Sequence, residues 1–328
     1  MLQHIKRYAS ILPAAACALA GMTFTAASQA EEAWPTRPVR LVVGFAPGGG
    51  ADTTARIIAK ALSEKLGQSI VIENRPGGGG TVGVASALRE PADGYTLIWC
   101  SPAAQYLAPS DVPYKPFEDL TPVSLAVSAT YLFVANVNLP YKTLPEMIAA
   151  AQADPTSINY ATAGAFGHGR MMGEYMKQLA NFEMEPIPFQ GEAPAVAAIM
   201  GGDVQVGFIS SPASWPQVQA GKLHALANTT ATEFPGIPKT IPPVSDTIPG
   251  YDVTAINYVS MRSGTPQHIV DKASKALQEV LAQPEVVEQI ANFGVVAGGS
   301  TPEELGKRVR AEYEQWRNVM IQAGISER

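Results

Sequence analysis

Cysteine is scarce in this chain: Cys17 and Cys100 are the only two. Cys17 lies in an N-terminal segment that reads as removable, which leaves no intramolecular disulfide. Stability must then come from a core large enough to supply it. Cys100 ends the apolar run Leu97-Ile98-Trp99-Cys100 and reads as a buried structural thiol rather than an exposed nucleophile. Histidine is nearly as rare. Beyond that segment only His168, His224 and His268 remain, far apart and without metal-ligand spacing. Positive charge is also short, with 23 Lys and Arg against 29 Asp and Glu. A nucleic-acid partner is therefore not expected, because phosphates need a basic face. The chain has no G-x-S-x-G elbow and no P-loop, and its first glycine loop, 47–53, does not have the GxGxxG spacing. Glu73 stands about where a dinucleotide fold places its acidic residue, which keeps nucleotide binding as an alternative. Glu73, Asp93 and Asp203 sit near strand ends or turns, and nothing joins any of them to another as an acid–base pair. No catalytic residue, metal ligand or cofactor is assigned.

The N-terminus reads as a cleavable signal peptide. His4, Lys6 and Arg7 make a short basic region, residues 11–19 an apolar one, and Ser28-Gln29-Ala30 a small-x-small cleavage site. The apolar run is too short for a comfortable membrane span. Cys17 follows Ala14-Ala15-Ala16, a weak likeness to a lipoprotein box, with Ala14 where a large aliphatic residue is the norm. Cleavage after residue 30 removes Lys6 and Arg7 and no acid, moving the formal charge two units from −6 to −8.

From Trp34 onward strand and helix signals alternate, the pattern of open parallel sheets. Residues 39–45 form a near-continuous apolar run, as a strand buried on both faces should. Pro47-Gly48-Gly49-Gly50 breaks it. Asp52 is placed as the cap of a helix reaching about Leu66, with Gly67 as its stop. A strand at 69–73 completes a right-handed βαβ unit. A second glycine-rich turn, 74–80, precedes a helix at 81–89 and a strand at 95–100. Residues 123–137 read as one strand leading out of the first lobe. A helix at 144–152, a strand at 157–161, a third glycine-rich loop at 162–169 and a helix at 171–179 follow. Strands are expected at 204–209 and 224–228, a proline-rich surface loop at 235–249 and a returning strand at 253–261. Helices at 267–281 and 302–323 close the chain.

The first and third glycine loops each follow a strand and open a helix. The first N–H groups of a helix lack partners and lie at its positive end, and glycines let a ligand approach closely, so such a loop suits an anion. A tight βα turn without a ligand is the plain alternative. The four glycines of the second loop suggest backbone shape more than ligand contact. Two anion-competent loops on two lobes could hold a diacid at both ends. Arg170 could aim its guanidinium at a carboxylate, or be a solvated arginine at a helix start. Phe166 could stack on a ligand or simply pack.

The run Trp34-Pro35-Thr36-Arg37-Pro38-Val39-Arg40-Leu41-Val42-Val43-Gly44-Phe45-Ala46-Pro47-Gly48-Gly49 resembles the opening of the Bug proteins, the TctC-like receptors of tripartite tricarboxylate transporters. The likeness continues through Asp52-Thr53-Thr54-Ala55-Arg56, Ile72-Glu73-Asn74-Arg75-Pro76-Gly77, Asp93-Gly94-Tyr95-Thr96-Leu97, Asn159-Tyr160-Ala161-Thr162-Ala163-Gly164, Ala220-Gly221-Lys222-Leu223 and Ser300-Thr301-Pro302-Glu303-Glu304. It covers nearly all of 34–323. The resemblance implies an α/β type II periplasmic-binding-protein fold: two lobes joined by two hinge strands, with the ligand in the cleft. Lobe 1 would span 34–127 and 254–328, and lobe 2 would span 128–253, behind a signal peptide at 1–30. It also implies a periplasmic, monomeric, non-enzymatic receptor without cofactor. Such a receptor delivers a small carboxylate to membrane transporter subunits. Carried over by position, the first carboxylate meets Ala46, Pro47, Gly48, Gly49, Asp52 and Thr53. Ser101 lines the cleft, and Thr162, Ala163 and Gly164 form the second-lobe loop. The family's small hydroxyl residues after that loop are replaced here by Phe166-Gly167-His168-Gly169-Arg170, and its Tyr-Lys-Gly by Phe189-Gln190-Gly191. The departure points to an aromatic or bulky carboxylate against Phe166 or Phe189, paired with Arg170. A receptor for a sensor kinase, or an exported enzyme that binds an anion, are the alternatives.

Overall fold

The computed structural model describes residues 34–101, 112–231 and 233–324. The signal peptide, its cleavage site and Cys17 lie outside the described residues. Eleven strands and nine α-helices are described, arranged around two sheets.

The first sheet holds β1 (Val39–Val43), β2 (Ile70–Asn74), β3 (Thr96–Cys100), β4 (Leu120–Ala129), β10 (Ala255–Arg262) and β11 (Val295–Ala297), in the order β11-β4-β10-β3-β1-β2. β1 pairs parallel with β2 and β3, whereas β10 runs antiparallel to β3 and β4. Every residue of β3 is buried, as expected of a strand covered on both faces. Helices α1 (Gly50–Leu66), α2 (Thr81–Ala87), α7 (Gln267–Leu281) and α8 (Pro284–Ala291) belong to this lobe. α1 buries Ile58 and Leu62 on one face and ends at Gly67, whose φ of 67° supplies the left-handed stop.

The second sheet holds β5 (Tyr131–Asn136), β6 (Asn159–Thr162), β7 (Glu185–Pro188), β8 (Val206–Ser210) and β9 (Leu223–Asn228), in the order β7-β6-β8-β5-β9. Its helices are α3 (Leu144–Ala153), α4 (His168–Ala180), α5 (Glu192–Gly201) and α6 (Ser211–Gln219). The last helix, α9 (Pro302–Gln322), packs on β4 of the first sheet and against α4 of the second lobe, where Trp316 meets Tyr175 edge to face.

The stretch expected as one strand at 123–137 is two. β4 and β5 belong to different sheets, and Thr130 alone separates them. The chain returns from β9 to β10 beside this crossing. Tyr131 N–H donates to Thr229 Oγ1 at 3.0 Å, and Thr229 Oγ1 donates to Val253 O at 2.9 Å. Thr130, Thr229 and Thr230 are all essentially buried, so both crossing segments are tied by satisfied hydroxyls. The proline-rich stretch is not a bare surface loop. It buries Ile241, Val244 and Ile248, and Asn228 Nδ2 donates to Ile241 O at 2.9 Å. Strand β7, helices α5, α6 and α8, and strand β11 are not among the elements expected from the sequence. α5 and α6 are short, and α6 contains Pro216.

Candidate functional site

Two chambers lie between the lobes and share Phe45 and Ala163. The inner chamber has a volume of about 30 Å³. Its first-lobe wall includes Gly49, Gly50 and Ala51 at the start of α1, with Ser101 and Asn257. Its second-lobe wall includes Gly167, His168 and Gly169 at the start of α4, with Tyr131, Glu192 and Ser210. The outer chamber, about 190 Å³, lies between the second glycine loop (Gly77–Gly79) and the stretches 163–165 and 188–191.

The two helix starts match closely. Gly49 precedes α1 with φ −81° and ψ 172°, Gly167 precedes α4 with φ −82° and ψ 171°, and neither cap has a side-chain hydrogen bond. Helices from opposite lobes thus bring their positive ends to one chamber. The Ser101 hydroxyl and His168 Nε2 are buried there without a hydrogen-bond partner among the described residues. Unsatisfied buried polar atoms are costly, so the pair marks a place that wants a partner. Burial drives the His168 imidazole down to about 3, which keeps it neutral. Its ring lies 5.6 Å from that of Tyr131.

Glu192, the first residue of α5, sends its carboxylate across the cleft. Its Oε2 accepts from Gly50 N–H at 2.9 Å and from Ser210 Oγ at 2.5 Å, and its Oε1 accepts from Ser210 N–H at 2.7 Å. The Tyr131 phenol lies beside it. Burial first, then the Glu192 charge, pushes the Tyr131 phenol well above its ordinary range.

Of the residues expected at the site, Gly49, Ser101 and Ala163 line the inner chamber, and Ala163, Gly164 and Phe189 the outer one. Neither chamber is lined by Ala46, Pro47, Gly48, Asp52, Thr53, Thr162, Phe166 or Arg170. Asp52 is not the helix cap. It sits inside the first turn and braces the loop, accepting from Gly48 N–H at 3.0 Å, Arg56 Nε at 2.9 Å and Asn74 Nδ2 at 2.9 Å. Burial alone would raise its carboxyl, but the bonds from Arg56, Gly48 and Asn74 outweigh this and hold it below the usual range. Thr162 Oγ1 donates to Gly164 O at 2.8 Å and so shapes the third loop from within. Arg170 turns along its own helix to pair with Glu174 at 3.1 Å, which also accepts from Tyr160. Glu73 pairs with Arg40 and Arg75 rather than standing free for a ribose.

Sequence reasoning missed Tyr131, Glu192, Ser210 and Asn257. Glu192 directly follows Gly191, but no helix was expected there, so nothing marked it as a helix-start acid. Cys100 is buried as expected, and burial pushes its thiol up to about 12. Among the described residues no cluster of His, Cys, Asp or Glu could hold a metal, and no helix is long and apolar enough to cross a membrane.

Known proteins share this architecture. BugT of Bordetella pertussis is 31% identical over 307 residues, covering 91% of this chain and 93% of its own. An R. palustris protein solved with adipate is 32% identical with a TM-score of 0.86, over 89% of this chain and 98% of that one. MatC from Rhodopseudomonas palustris, solved with bound malate, is 29% identical with a TM-score of 0.82, over 87% of this chain and 99% of that one. Residues 54–325 match the tripartite tricarboxylate transporter family receptor (TctC), and the chain belongs to that family of solute-binding receptors.

Proposed function

We propose that this chain is exported to the periplasm, closes its two lobes on a small carboxylate and delivers it intact to tripartite tricarboxylate-type membrane subunits. The observation that carries this reading is the meeting of helix starts from opposite lobes at one chamber that holds the unpartnered Ser101 hydroxyl and His168 Nε2. Backbone amides and helix ends recognise carboxylates without a basic side chain. Relatives solved with adipate and malate support the ligand class. The ligand would enter as the lobes part, with Thr130 and the segment after Asn228 as the hinge. Lobe boundaries near 128 and 253, and action as a monomer, belong to the same reading.

A thermal-shift screen of the exported protein against carboxylates, amides and nucleotides tests it. A ligand at 100 times its Kd should add about 2.7 kcal/mol. That corresponds to a rise of several degrees, at roughly 2–4 °C per kcal/mol. Stabilisation by carboxylates recovered unchanged is the expected result. Stabilisation by nucleotides alone, or consumption of the stabilising compound, would overturn it.

A further inference from the structure

We propose that Glu192 is the specificity-determining residue of the cleft: its carboxylate already occupies the anion seat at the start of α1, so the receptor accepts solutes with a single carboxylate and turns away dicarboxylates. This rests on the carboxylate-receptor reading and narrows it.

The Glu192 carboxylate does what a bound ligand's carboxylate would do. It comes from the second lobe and accepts the first backbone N–H of the first lobe's α1, Gly50, at 2.9 Å. Three helices begin around it: α1 at Gly50, α5 at Glu192 itself and α6 at Ser211. Their positive ends favour an anion at this point. Three donors, from Gly50 N–H, Ser210 N–H and Ser210 Oγ, converge on its two oxygens, with the Tyr131 phenol close by. Two carboxylate oxygens offer about four acceptor sites, so three bonds engage most of the group. The fit around it is close. A Cβ at position 50 would come within 2.1 Å of Ser210 Oγ and 2.9 Å of Glu192 Oε2.

A solute carboxylate arriving at this seat finds its donors taken and a like charge beside it. Two carboxylates cannot share such a place without one losing its charge. The described lining of the inner chamber includes no Lys or Arg to offset a second negative charge. What remains open is one anion's worth of recognition: the start of α4, the Ser101 hydroxyl and the neutral His168 Nε2. The neighbouring outer chamber, about 190 Å³, is lined by glycine and alanine residues, Phe45, Pro188, Phe189 and Gln190, with no charged side chain. An apolar or aromatic tail suits it better than a second carboxylate, which would meet no charged partner there. The matching solute is a monocarboxylate with an apolar body.

The test is calorimetric titration of the exported protein with matched pairs: hexanoate against adipate, and benzoate against terephthalate. The expected result is that the monocarboxylate of at least one pair binds at least tenfold more tightly than its dicarboxylate partner. In Glu192→Ala the vacated donors should take the second carboxylate, so the preference falls at least tenfold or reverses. Glu192→Gln keeps the side chain's size and should weaken the discrimination without restoring a full seat. Equal or tighter binding of the dicarboxylates by the unmodified protein would overturn the inference, and this comparison needs no variant to fold. So would an unchanged ratio in a folded Glu192→Ala. Binding by neither member of any pair would instead overturn the carboxylate-receptor reading, and this inference with it.

Discussion

Gly49 and Gly44 stand five residues apart on the two sides of the same strand-to-helix turn, yet they meet different surroundings. Gly49 has ordinary extended backbone, and a Cβ there would find its nearest neighbour at 3.6 Å. It lines the chamber beside Glu192, which takes the Gly50 N–H. Gly44 faces the second glycine loop, and its Cβ would come within 2.6 Å of Gly80 Cα and 2.7 Å of Gly80 O. Gly77 to Gly80 all have φ between 56° and 138°, which only glycine adopts at low cost. Gly79 in turn touches the second lobe, since a Cβ at Gly164 would sit 3.0 Å from its backbone. Two runs that look alike as letters thus have separate tasks. The first presents N–H groups to a cavity, and the second lets three backbone segments pack together.

The sharpest way to break this comparison is to add one methyl group to each. Gly44→Ala forces backbone against backbone and should cost about 3 kcal/mol, the upper end of overpacking costs. Urea unfolding reads this directly, and an unchanged midpoint would mean the loops do not pack as described. The third loop extends the comparison, because it has the first loop's helix-start geometry but carries His168 inside the chamber wall. That imidazole sits at about 3 when folded, against an ordinary value of 6.5. The unfolded chain therefore binds the extra proton between these values. Stability from this group is complete above pH 6.5 and falls as pH drops toward 3, by up to about 1.4 kcal/mol per pH unit. Unfolding curves at pH 7, 6 and 5 should show that slope, and His168→Gln should remove it. The smallest effect is expected for Gly49→Ala. Its backbone geometry suits any residue, so stability should shift by less than about 1 kcal/mol, mostly from a poorer helix cap. A loss as large as that at Gly44 would erase the distinction.

The alternation of strands and helices was legible because each long element carries its own signal. The apolar β1 and β3, the Ile58 and Leu62 face of α1 and the stop at Gly67 are local facts. The glycine loops at 47–50 and 162–169 were legible as helix starts for the same reason. Asp52 was misplaced as a cap because Asp before an apolar helix is ambiguous by a turn. In the fold it reaches back to Gly48 N–H and sideways to Arg56 and Asn74, and the sideways contact depends on β2. Arg170 was open between cleft and surface, and Glu174, one turn on, decides its direction. The single long strand at 123–137 proved to be two because periodicity is blind to a change of sheet.

Composition and local pattern by themselves determined that this is an α/β chain, that two glycine-rich loops lead into helices, expected from about 52 and 171 and found from 50 and 168, and that Cys100 is a core thiol. These follow from interactions within a few residues or from simple burial. Only the tertiary structure decided that the two helix starts face one chamber. It alone put Glu192, 142 residues away in sequence, onto Gly50 N–H. No propensity or spacing encodes that contact. It arises from the way two lobes, linked through Thr130 and the segment after Asn228, come together around buried donors that need an acceptor.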